Sequence, residues 1–326
     1  MIRFLLRRLV SAVGIVMVVA ATVFLLFYAL PRDPARAFCG KLCLPENLKL
    51  LRHEMGMDLP IWQQFLAWAQ GVVVGRDFPG IGHCEAPCFG YSFAKGEWVT
   101  ETVLDRLPVT VSLSLGGAVV ILTVGIGAGM LAAAKRGTWI DSLATSLSNI
   151  GGGMQIFFVG PLMVFVLSDT LGLLPRPRYT EFGDNPAKWF IGLLIPWIAL
   201  SVIFYSNYTR LTRSMLLEQF NEDYVRTARA KGMSRRTTFF RFAWRGAMIP
   251  VVTQFGIDLG VLLGGAIVTE LTFGLHGLGE LVTQAFTNTD LPMLLGITVL
   301  SAGAIVLINV VVDALYAVID PRVRLS

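Results

Sequence analysis

Six long apolar stretches, at residues 10–30, 109–134, 143–167, 189–205, 247–268 and 293–319, constrain this chain more than anything else in it. The first four carry no charged side chain, and the last two carry one aspartate each, Asp258 and Asp313. Each is near the ~20 residues a helix needs to cross the hydrocarbon core of a bilayer. Lipid offers no partner to a backbone N–H or C=O, so such segments must be helices or a closed barrel. Continuous apolar runs are not the alternating pattern of a barrel strand. The expected fold is an all-α polytopic membrane protein with six transmembrane helices. A composition of 54% hydrophobic and only 15% charged residues excludes an ordinary soluble domain.

The formal net charge of +5 raises nucleic acid as a partner. The basic residues, however, sit beside the apolar spans, which is the pattern of positive-inside topology. The expected partner is therefore the lipid bilayer, and no nucleic acid. Arg3, Arg7 and Arg8, the pair Lys135-Arg136, the island at 223–250, and Arg322 with Arg324 all fall on one side of a six-span chain. The loop at 270–291, without Lys or Arg, falls on the other. Both termini are thus expected in the cytoplasm. The first apolar run has the charged start of a signal peptide, but Leu30-Pro31-Arg32-Asp33 follows it instead of a small-residue cleavage site. It reads as a retained span.

The expected organisation is an N-terminal tail and first span at 1–30, an extracytoplasmic segment at 31–108, a core of five spans at 109–319, and a cytoplasmic tail at 320–326. A cytoplasmic loop at 210–250 lies within that core. In the outer segment, Leu48, Leu51 and Met55 repeat at helical spacing up to Gly56. Pro60 then suits the first turn of a helix carrying Trp62, Phe65, Leu66 and Trp68. These aromatics suit a membrane interface or a local core over the first span. All four cysteines, Cys39, Cys43, Cys84 and Cys88, lie in the same segment. On an oxidising face they predict two disulfides, with three connectivities open. Their spacing with His83 is not a recognisable zinc pattern, so no metal site is expected.

Within the spans, Asp258 follows Gln254 by one helical turn, and both are candidates for a translocation path or for a local hydrogen-bonded pair. Asn309 and Asp313, also one turn apart, and Glu270 at the end of the fifth span are further path candidates. Gly256, Gly260 and Gly264 repeat every four residues and read as a helix-packing seam.

The island 223–250 reads DYVRTARAKGMSRRTTFFRFAWRGAMIP. A helix is expected from 215 to 230, with Gly232 at its C-terminal cap and Ser234 as N-cap of a second short helix to about Trp244. This helix–turn–helix resembles the cytoplasmic loop of binding-protein-dependent ABC importer permeases. That loop carries Glu-Ala-Ala, three residues, a Gly, and further on an apolar stretch closing on Pro. Ala228, Gly232 and Met248-Ile249-Pro250 correspond to its parts, and Arg226-Thr227 replaces Glu-Ala, as is common in the dipeptide and oligopeptide branch. The resemblance extends to Arg7-Arg8-Leu9, Pro31 with Asp33-Pro34, LRHEMGMDLPIWQQF, Arg106-Leu107-Pro108 with Thr110, and Lys135 to Trp139 with Asp141. Gly172-Leu173-Leu174-Pro175, the loop FGLHGLGELVTQAFTNTDLP and Asp320-Pro321-Arg322 follow the same template. The segment 80–89 and Gly151-Gly152-Gly153-Met154 depart from it.

The resemblance implies a permease subunit of the bacterial inner membrane that moves dipeptides or oligopeptides inward. Its implied partners are a second homologous permease, two cytoplasmic ATPase subunits and an extracytoplasmic peptide-binding protein. Asp223, Tyr224, Arg226, Ala228, Gly232, Met233 and Ser234 would form the ATPase-coupling loop. The chain has no Gly-x4-Gly-Lys-Ser/Thr phosphate loop, so no cofactor is expected in it, and ATP and Mg would belong to the partner ATPases. Neither a His-Glu-x-x-His nor a Gly-x-Ser-x-Gly motif occurs, and no catalytic residue is assigned. The rival readings are a membrane thiol-disulfide oxidoreductase using the outer cysteine pairs, a stand-alone channel or ion-coupled carrier, and a nickel or glutathione importer on the same permease template.

Overall fold

The structure, a computed structural model, describes residues 2–29, 44–54, 58–78, 80–263 and 266–319. Cys39, Cys43, Met55, Gly56, Gly264, Arg322 and Arg324 lie outside the described residues, as do the side chains of Leu48, Leu51 and Asp313. The described chain is mostly helical. Four helices in it are long and apolar enough to cross a membrane: Val99–Ala134, Pro186–Gln219, Arg235–Leu263 and Leu291–Val311. A bent pair, Trp139–Gly152 with Ile156–Thr170, makes a fifth if counted as one span. The N-terminal helix runs Ile2–Ala29, and its described apolar part is Val10–Leu26. Pro108, Pro161, Pro196 and Pro250 all sit inside helices. In membrane helices the freed backbone groups find other partners.

Several expectations need correction. The stretch 143–167 is not one straight helix, because Gly153 closes the first arm and the second leaves at 106°. Gly151 and Gly152 precede the break because the long helix passes too close for a side chain. A Cβ on Gly151 would stand 2.9 Å from the Val202 carbonyl, and one on Gly152 would stand 2.5 Å from Ser206 Oγ. The second helix of the polar island does not stop near Trp244; it continues without a break into the fifth span as Arg235–Leu263. Nor is the chain purely helical. Arg76–Phe78 pairs antiparallel with Gly82–Cys84, and Tyr91–Ser92 pairs with Glu97–Trp98.

The chain divides into two compact units, one of Met1–Thr110 with His276–Leu307 and one of Val111–Leu275 with Ile308–Ser326. In the first, Trp68, Val99, Val103, Leu281, Met293 and Ile297 form a core against which Val16, Phe24 and Phe65 pack. Phe24 of the N-terminal helix meets Phe65 of the helix Ile61–Val74 edge to face, with ring centroids 5.5 Å apart. That helix has two apolar faces. Trp68 is buried and donates through Nε1 to the Phe89 carbonyl at 3.1 Å, whereas Trp62 and Leu66 are exposed. The two hairpins gather Phe78, Tyr91 and Trp98 around Cys84 and Cys88.

In the second unit the helix Pro186–Gln219 is the spine. Gly117, Gly125 and Gly129 face it so closely that a Cβ on each would lie 2.6 Å from Leu200, 2.7 Å from Tyr208 and 2.7 Å from Thr212. Gly116 meets the Trp197 ring in the same way. Small residues let two backbones approach where lipid supplies no hydrophobic drive for association. Asp141 adds a polar tie: Arg213 Nε and Nη2 donate to its two oxygens at 2.6 and 2.9 Å, and Gly137 N–H donates at 3.0 Å. Bidentate pairing of this kind fixes direction as well as distance.

Candidate functional site

The helix expected from 215 to 230 is instead two: the long helix ends at Gln219, and after a turn at 220–222 the helix Asp223–Ala230 begins. A helix that short is marginal alone, so its packing must hold it. Val225 and Ala228 are buried, Val225 in a cluster with Leu216, Ala243 and Ala247. Asp223 stands in its first turn and Arg229 in its last, each at the end of the helix dipole that favours its charge. The Arg229 guanidinium lies 5.3 Å over the Phe220 ring.

Its C-terminus closes through a paired hydrogen-bond motif. Met233 N–H donates to the Ala228 carbonyl at 3.2 Å, and Gly232 N–H donates to Arg229 at 3.0 Å. This arrangement requires a left-handed residue after the cap, and Gly232 has φ +75°. A Cβ there would meet nothing within 4 Å, so the demand for glycine comes from the backbone angle alone. Ser234 Oγ then accepts from Thr237 N–H at 3.2 Å and caps the next helix. Between the two helices lie only residues 231–234. The second arm is the span Arg235–Leu263 itself, 29 residues and about 43 Å long.

Of the other residues expected in this loop, Tyr224 and Met233 are exposed by 43% and 40%, and Arg226 stands 3.9 Å from Asp223. The Tyr224 hydroxyl donates to Gln219 Oε1. Partial burial, with Glu222 nearby, pushes its phenol pKa above the ordinary range. Gly246 lies under this pair, where any side chain would collide with Gln219.

Inside the second unit, Gln254 Nε2 donates to Asp258 Oδ1 at 2.9 Å, and the Tyr208 hydroxyl donates to Asp258 Oδ2 at 2.8 Å. The pair expected from the sequence is thus joined by a third residue from the long helix. Tyr208 was missed, because it lies three residues beyond the apolar stretch 189–205 and no local pattern marks it. Glu270 is fully buried in the helix Ile267–Phe273, and Asn309 is exposed. The structure does not bring either into the trio.

Cys84 and Cys88 are bonded to each other, with sulfurs 2.01 Å apart, and are 4% and 2% exposed. Thiol exchange needs a sulfur that an incoming thiolate can reach, so this buried pair suits a staple better than a redox centre. His83 instead pairs with Asp77 at 2.6 Å on the exposed side of the hairpin. Among the described residues, no three His, Cys, Asp or Glu side chains are grouped to hold a metal.

Residues 1–114 match the family described as the N-terminal part of a binding-protein-dependent transport system membrane component. Residues 125–325 match the binding-protein-dependent transport system inner membrane component. A probable peptide ABC transporter permease protein of Sinorhizobium fredii is 35% identical over 321 residues, covering 98% of this chain and 99% of its own. The dipeptide transport system permease protein DppB of Escherichia coli K12 is 34% identical, with 99% of each chain covered. A chain of the MetNI methionine ABC transporter in an inward-facing conformation is similar in fold, with TM-score 0.54 and 17% identity, over 68% of this chain and 97% of that one. On these matches, which between them span nearly its whole length, the chain belongs to the binding-protein-dependent transport system inner membrane component family.

Proposed function

We propose that this chain is a permease subunit of a bacterial ABC importer that carries dipeptides or oligopeptides across the inner membrane. In this reading it has six spans with both termini cytoplasmic, and it pairs with a second homologous permease. Two cytoplasmic ATPases supply the energy, binding ATP and Mg, and an extracytoplasmic peptide-binding protein delivers the cargo. The full-length relatives named as peptide and dipeptide permeases support the cargo class.

The observation that carries the mechanism is the continuity of elbow and span. Helix Asp223–Ala230 docks on an ATPase subunit, and closure of the ATPases displaces it. The four-residue turn at Gly232 passes that displacement to Arg235–Leu263, which tilts and exchanges outward for inward access. The chain itself does no chemistry; its work is mechanical.

The test is substitution at Gly232, where side-chain space is open but φ is +75°. Gly232→Val forces a β-branched residue into the left-handed region, at a cost of about 1–3 kcal/mol. It should lower peptide uptake and co-purification of the ATPases. Gly232→Asn, which tolerates that region, should retain both. Normal uptake and normal assembly with valine would remove the coupling role.

A further inference from the structure

The trio at Asp258 has a chemistry that the elbow does not use. Asp258 is a carboxylate in an apolar span, and both donors that reach it, the Tyr208 hydroxyl and the Gln254 carboxamide, are neutral. Among the described residues, no Lys, Arg or His side chain forms an ion pair with it. The two arginines on the neighbouring helix are engaged elsewhere, Arg213 with Asp141 and Arg210 with Asn207. A carboxylate has about four lone-pair sites, so two neutral donors leave acceptor capacity for a cation.

The site is also held in place. Gln254 comes from one turn earlier on the same helix, and Tyr208 from the long helix, where it also packs closely against Gly125 of a third helix. Tyr208 is fully buried while Asp258 is half-buried, so the anchor is enclosed and the carboxylate is not. Ionisable groups within spans are expensive and mark substrate pathways when they persist.

We propose that Asp258 is a cargo subsite that receives an ammonium group of the passing peptide, with Tyr208 and Gln254 as positioning residues. The inference rests on the peptide-importer reading. A peptide with a free N-terminus carries one ammonium whatever its side chains. A fixed carboxylate can therefore accept many sequences through the one charge they share.

The experiment uses the complete complex, with partner permease, ATPases and binding protein, in proteoliposomes. Uptake of radiolabelled alanyl-alanine and of a lysine-containing dipeptide is followed against concentration, beside the melting temperature of the complex. Asp258→Asn keeps the shape and an acceptor oxygen but removes the charge. It should lower uptake about tenfold or more at low peptide, through a raised KM and with little change in melting, as expected for a lost charge-assisted hydrogen bond. Asp258→Glu should restore most of the loss, and Thr253→Ala, on the exposed side of the same helix, should match the wild type. Equal loss for both peptides assigns the α-ammonium, and loss confined to the lysine peptide assigns the side-chain ammonium. Undiminished uptake of both by Asp258→Asn overturns the proposal, as does a lowered melting temperature that Asp258→Glu fails to correct alongside uptake. A wild-type complex that imports neither peptide overturns the importer reading instead.

Discussion

Asp290 shows what one residue can carry without any local signal. It is 1% exposed, accepts from the Ser92 hydroxyl through Oδ2, and accepts from Met293 N–H through Oδ1 at 3.3 Å. Burial pushes its carboxyl pKa above the ordinary value, against the opposing pull of Ser92, Met293 N–H and Lys95. The folded chain therefore keeps a proton that the unfolded chain has already released. Stability contributed here falls as pH rises from the ordinary carboxylate range through the raised folded value, and is level above it. Asp290→Asn keeps an acceptor for Met293 and offers Ser92 a donor. It should flatten that slope and leave the complex at least as stable as wild type at neutral pH, by thermal scans from about pH 4 to 8. A slope unchanged by the substitution would refute the assignment. Ser92 lies 198 positions away in the chain, and Arg213 lies 72 from Asp141. No sequence window contains either pair, so neither was legible. Ser234 and Gly232 were legible, because capping bonds and a positive φ are decided within a few residues.

Among the elements, a seam of glycines joins Val99–Ala134 to Pro186–Gln219. The regular spacing of Gly256, Gly260 and Gly264 pointed to a different helix. Gly256 and Gly260 are indeed buried, and close approaches to the long helix also occur at Gly116, Gly117, Gly125 and Gly129. Their spacing is irregular because a π-helical turn at Leu122–Ile126, which contains Gly125, shifts the helical register. A search for one fixed period passes over such a set. Gly129 and Gly127 give a matched test. A Cβ at 129 would stand 2.8 Å from the Thr209 carbonyl, which is backbone and cannot turn away, whereas one at 127 would meet nothing within 4 Å. Gly129→Ala should cost about 1–3 kcal/mol through overpacking. Gly127→Ala should be neutral or stabilising by up to about 1 kcal/mol, from helix propensity. Thermal unfolding of the solubilised protein reads both, and equal effects at the two positions would dismiss the seam.

For the whole molecule, the decisive expectation is that elbow and hairpins lie on opposite faces of the membrane. An impermeant maleimide added to intact cells should label Ala94→Cys in the hairpin Tyr91–Trp98 and not Lys231→Cys in the elbow turn, and should label both after permeabilisation. Labelling of the elbow from outside would end the coupling mechanism. The sequence alone determined that this chain lives in a bilayer, roughly where its apolar stretches lie, and that a glycine-hinged elbow interrupts them. Each of these follows from hydropathy summed over one segment, or from hydrogen bonds between near neighbours. Only the tertiary structure decided the bend after Gly153, the joining of elbow to span, the bond between Cys84 and Cys88, and the meeting of Tyr208 with Asp258. The reason lies in the solvent. Lipid tails are as apolar as the helix faces they surround, so hydrophobicity inserts a helix without choosing its neighbour. That choice is left to clearances and polar pairs between residues far apart in the chain.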